Sequence, residues 1–104
     1  MATQTAAFTV VFPDWYDERA EYEVPMKGYL EGVVVRMADG ARYGLCFYDP
    51  VRLQQDVERG AEFGQTYVAE PGLVILPEVT TQAIQKVVPN LLRDGFFSHL
   101  KPLA

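Results

Sequence analysis

Residues 29–48 read YLEGVVVRMADGARYGLCFY: two runs rich in β-branched and aromatic residues, interrupted once, by Asp39-Gly40. A two-residue Asp-Gly loop supplies the positive φ angles of a type I′ turn, so the stretch predicts a β-hairpin. Counting outward from that loop sets Met37 opposite Arg42, Arg36 opposite Tyr43, Val35 opposite Gly44 and Val34 opposite Leu45. Side chains alternate between the faces of a strand. One face then carries Val33, Val35, Met37, Cys46 and Tyr48, and the other Val34, Arg36, Tyr43, Leu45 and Phe47. Both faces are largely apolar, which predicts a central hairpin covered by helix on one side and by a loop or a second subunit on the other.

Shorter elements extend from this centre. Residues 7–12 (AFTVVF) form a strand-like run stopped by Pro13-Asp14, and residues 21–24 (EYEV) alternate as a second strand before Pro25. Asp49-Pro50 is a helix start, because the Asp carboxylate accepts from a free backbone N–H and Pro lacks only an N–H that would have stayed unpaired. Leu53 and Val57 share a face of this short helix, and Gly60 is its expected stop. Residues 65–69 (QTYVA) and 73–76 (LVIL) read as one or two further strands across Pro71-Gly72. Thr80 or Thr81 caps a last helix whose Ile84, Val87, Val88, Leu91 and Leu92 make an amphipathic stripe, with Gly95 as its terminator. Pro89 conflicts with that helix, since an interior proline removes a hydrogen bond, so the helix either bends on its solvent side or breaks there. The order β-β-β-β-α-β-α describes a single α+β domain over residues 1–104. A mainly antiparallel sheet carries one short helix and one packed C-terminal amphipathic helix.

Composition sets the outer limits. The 104 residues are 49% apolar and 22% charged, a globular balance, and 14 acids against 9 bases leave a net charge of −5. No basic cluster exists to displace counterions from phosphates, which argues against nucleic acid as a partner. The acids concentrate in residues 1–28 and 49–70. Cys46 is the single cysteine, so no intrachain disulfide forms, and a reducing compartment is the natural setting. Residues 1–11 lack the pattern of a signal peptide, and no apolar run approaches the length of a membrane span. A cytoplasmic protein without a membrane role is the expectation.

Motifs for phosphate loops, zinc centres and nucleophile elbows are absent from the sequence, and neither a metal nor a cofactor is expected. Cys46 and His99 are the only residues able to pair as thiol and base, but Cys46 lies in an apolar strand and reads as core. The unusual cluster is Asp14-Trp15-Tyr16-Asp17-Glu18, the only tryptophan beside a tyrosine and bracketed by acids. Such a pair is either an interaction hot spot or a lid folded on the hairpin. Arg36 and Tyr43, paired in the derived register, either stack on each other or mark a site for an anionic ligand. The function expected from Trp15, Tyr16, Asp14, Asp17, Arg36 and Tyr43 is non-enzymatic binding of a protein partner or a second copy, of inhibitor, immunity or accessory type. The competing expectation is a small-molecule binder or enzyme with an apolar pocket against the sheet.

Overall fold

The computed structural model describes residues 8–104 and the backbone of residues 2–4. Its elements are β1 (Ala2–Gln4), β2 (Phe8–Val11), α1 (Glu18–Lys27), β3 (Tyr29–Met37), β4 (Arg42–Tyr48), α2 (Pro50–Ala61), β5 (Leu73–Ile75) and α3 (Thr81–Arg93), followed by a 3-10 turn at Phe96–His99. The strands form one sheet in chain order, antiparallel from β1 to β4, with β5 parallel to β4. The domain is α+β. It has the expected mainly antiparallel sheet and packed C-terminal helix, and one helix more than the sequence suggested.

That helix is α1, which replaces the strand expected at residues 21–24. Four alternating residues are a weak signal, and several local helix determinants outweigh it. The Asp17 carboxylate accepts from Ala20 N at 2.9 Å, Arg19 pairs with Glu23 at 2.7 Å, and Gly28 closes the helix in the left-handed region by donating to Val24 O. Ala20 and Val24, four apart, turn toward the core. Residues 65–69 are also not a strand: they run without ladder partners, and only Leu73–Ile75 joins the sheet. Of the first expected strand, Ala7 lies outside the described residues, while Phe8–Val11 is strand as read.

The hairpin forms around Asp39-Gly40, but its turn and register differ from the expectation. Of the two expected loop residues only Gly40 has a positive φ, 91°, and among the described residues no non-glycine does, so a type I′ turn is not made. Forcing an L-aspartate left-handed costs about 1–2 kcal/mol. The chain instead adds one residue to the loop: Gly40 N donates to Met37 O, Met37 N to Ala41 O, and the Asp39 carboxylate takes Ala41 N at 2.9 Å. Val35 therefore faces Tyr43, and Arg36 faces Arg42. This one-residue slip moves every β4 side chain to the opposite face.

A second irregularity, a bulge between Glu31 and Val33 at Gly32 (φ 84°), lets Leu30 point the same way as Val33 and Val35. One sheet face thereby collects Phe8, Val10, Leu30, Val33, Val35, Leu45 and Phe47, all buried, and α3 covers it with Ile84 and Val88. The other face carries Tyr29, Glu31, Val34, Arg36, Arg42, Cys46 and Tyr48. It is not uniformly apolar, as the shorter loop had implied. The start of α2 covers part of it, with the Arg52 guanidinium 5.2 Å from the Tyr29 ring centre. The C-terminal tail covers more, with Leu103 N donating to Arg42 O at 2.7 Å. Pro89 neither breaks nor ends α3; it lies exposed on the solvent side of a continuous helix.

Candidate functional site

Gly28 turns α1 directly into β3, so the helix lies beside the first half of that strand. The β2 ladder begins only at Val34, opposite Val11. Among the described residues, none forms a strand along that edge of residues 29–33. Between this edge and α1 lies a groove of about 300 Å³. Val24 and Leu30, both buried, form its floor with Ala20, and Trp15 stands at its mouth with 57% of its surface exposed.

The polar rim is largely paired. Arg19 holds Glu23 at 2.7 Å, with Lys27 3.9 Å from the second carboxylate oxygen, and the Tyr29 hydroxyl donates to Glu31 Oε2 at 2.7 Å. Main-chain direction follows from ladder alternation. Asp49 N donates to Gly28 O at 2.9 Å, making that pair and the Leu30–Phe47 pair the hydrogen-bonded ones. Tyr29 and Glu31 between and beyond them turn their N–H and C=O groups toward the groove.

The six residues singled out from sequence separate in space. Trp15 and Asp17 line the groove, Asp17 doubling as the α1 cap, and Asp14 lies exposed in the preceding turn. Tyr16 is core: its ring stacks on Phe12 at 4.9 Å, its hydroxyl bonds to Thr81 Oγ1 at 2.8 Å, and burial raises its phenol pKa. Arg36 and Tyr43 do not meet on one face, because the slipped register sends Tyr43 to the core side, 5.5 Å from Phe97, and leaves Arg36 exposed on the other. Val24, Lys27, Tyr29, Leu30 and Glu31 were not foreseen. The sequence signals for them were the Asp17 cap and Gly28, which bound α1, and Gly32, which interrupts an otherwise regular strand.

A second polar cluster lies on the opposite side of Tyr29. Burial, followed by the neighbouring Glu70, pushes the Cys46 thiol up to about 12. Burial and a hydrogen bond to Glu31 raise the Tyr29 phenol above its ordinary value, and burial with Asp56 does the same at Tyr48. These are neutral hydrogen-bond donors, the reverse of what an activated nucleophile or base requires. The charges acting on the thiol come from Glu70 and Glu31, not from His99, which is exposed in the Phe96–His99 turn. Among the described residues no three His, Cys, Asp or Glu side chains converge as metal ligands, and no helix is long and apolar enough to cross a membrane.

No protein-family model, curated protein or solved structure matches this chain.

Proposed function

We propose that this domain is a non-enzymatic protein-interaction module, of the inhibitor, immunity-type or accessory kind, that receives its partner in the groove between α1 and β3. The observation that carries the reading is Trp15: a tryptophan more than half exposed beside an apolar floor and an uncovered strand edge. Tryptophan in such a position supplies large contact area with few torsions to freeze, which is why it dominates interaction hot spots. The raised thiol and phenol pKa values near the groove favour binding over covalent or acid–base chemistry. The unpaired, buried Cys46 suits a reducing, cytoplasmic setting.

A small ligand in the same groove is the second reading, favoured by a volume at the lower end of the ~300–1,000 Å³ range of small-molecule sites. Selection from a displayed random-peptide library on the immobilised domain, with Trp15→Ala as counter-selection, separates the two. Peptides lost with Trp15→Ala, at unchanged melting temperature, support the interaction module. Enrichment that is indifferent to Trp15→Ala, or no enrichment, refutes it.

A further inference from the structure

We infer that the groove accepts an extended, basic peptide segment by strand addition to the Tyr29–Glu31 edge of β3. The inference rests on the interaction reading above and goes further, naming how the partner is held and what chemistry it carries. Three observations combine. The edge is uncovered because β2 stops pairing at Val34, and alternation directs the N–H and C=O groups of Tyr29 and Glu31 into the gap. An added strand forms ladder bonds there, as in other strand-addition complexes. The floor of Val24 and Leu30 beside Trp15 gives alternate side chains of that strand an apolar seat.

Charge selects the sign of the partner. The two bases at the groove, Arg19 and Lys27, both lie against the single carboxylate of Glu23. The Trp15 end carries Asp14, Asp17 and Glu18, and the strand edge carries Glu31, in a chain of net charge −5. A basic segment is attracted to this rim and an acidic one repelled; the same repulsion disfavours a second copy of this chain.

The test uses an end-capped five-residue peptide alternating lysine with leucine, its glutamate-for-lysine counterpart, and a version N-methylated at the amides that would donate to β3. Trp15 is the only tryptophan, so its fluorescence reports groove occupancy, and amide shifts in NMR locate the contact. The expected result is a change in Trp15 emission with the basic peptide, shifts at the Tyr29 and Glu31 amides, and a loss of about tenfold or more in affinity on N-methylation, from lost hydrogen bonds. The glutamate peptide should bind more weakly still, and added salt should weaken the basic one. Equal binding by the N-methylated peptide overturns strand addition while leaving the groove as an interaction site. Equal binding by the glutamate peptide overturns the charge assignment. A response confined to β1 or β5 amides, or no Trp15 response to any of the three peptides, overturns both the inference and the reading beneath it.

Discussion

Replacing Gly32 with alanine tests the feature on which both core and groove depend. At φ 84° an L residue occupies the left-handed region, at a cost of about 1–2 kcal/mol. A Cβ there would also stand 3.3 Å from Pro13 Cγ, close enough that the proline ring must yield by a few tenths of an ångström. Alanine restricts the unfolded chain, which returns about 0.4–1 kcal/mol. The net expectation is a loss of about 1 kcal/mol, or roughly 4–8 °C in melting temperature for a domain of this size. Gly44 is the internal control: it lies in the same hairpin with ordinary φ, and a Cβ would meet only Leu103 methyls at 3.8 and 3.9 Å. Gly44→Ala should be neutral or slightly stabilising. Gly32→Asn should fall between wild type and Gly32→Ala, since asparagine tolerates the left-handed region better. Urea unfolding of the three variants, with m-values to establish a common unfolded state, provides the measurement. If Gly32→Ala is no more destabilised than Gly44→Ala, the bulge is not what aligns Leu30 with Val33.

Other consequences follow from single contacts. Tyr16→Phe keeps the stack on Phe12 but leaves the buried Thr81 hydroxyl without its partner, and should lower unfolding free energy by about 1–2 kcal/mol in urea titration. Asp49→Ala removes the cap on Arg52 N at 2.7 Å, and should cost about 0.5–2 kcal/mol with a loss of helical circular dichroism. Pro89→Ala, at an exposed position inside α3, should raise the melting temperature, since an interior proline costs up to about 3 kcal/mol and the returned chain entropy is smaller. Alkaline titration should be asymmetric. Cys46, Tyr16, Tyr29 and Tyr48 all have raised pKa values in the fold, so the unfolded chain releases their protons first. Stability is then level near neutrality and falls as pH climbs above the ordinary thiol value, by up to about 1.4 kcal/mol per pH unit for Cys46 before its folded value near 12 is reached. Cys46→Ala should flatten the first part of that fall; an unchanged slope would refute the assignment.

The elements legible in the sequence are those specified within a few residues. Asp49-Pro50 and Thr80 cap helices as their chemistry requires, and Ile84 and Val88 reach the core because their spacing matches one helical face. The α1 helix was missed because its evidence is equally local but lies outside the apolar pattern, in the Asp17 cap, the Arg19–Glu23 pair and Gly28. The alternation of residues 21–24 masked it, although Tyr22 and Val24 end on opposite sides, 74% and 3% exposed. The hairpin shows a different limit. Asp39-Gly40 specifies a turn but not its length, and one extra loop residue reverses which β4 side chains are buried. The expectation of two largely apolar hairpin faces came from that inverted face.

The groove was the least legible feature because no single segment encodes it. It exists where β2 stops short along β3, and that depends on pairing Val11 with Val34 across more than twenty residues. The bulge at Gly32 is adjacent to this point, with Pro13 packed against it. The Pro13 turn also leads into Trp15, through Tyr16 N donating to Pro13 O at 2.9 Å. The same proline thus ends β2, abuts the bulge and directs the chain so that Tyr16 turns inward to Thr81 while Trp15 turns outward to the groove. Adjacent aromatics diverge here for a physical reason: Tyr16 has a buried hydroxyl partner, whereas Trp15 borders an edge that lies beyond the last described β2–β3 pair. A sequence reading that treats Trp15 and Tyr16 as one patch cannot make that distinction. The position of the strand end makes it, and therefore the length of β2 controls access to the edge. Extending β2 by replacing Pro13 with a residue able to donate a ladder bond should close the groove and protect the Glu31 amide from hydrogen exchange. Unchanged Glu31 exchange in a folded Pro13→Val variant would show that something other than the end of β2 keeps that edge open.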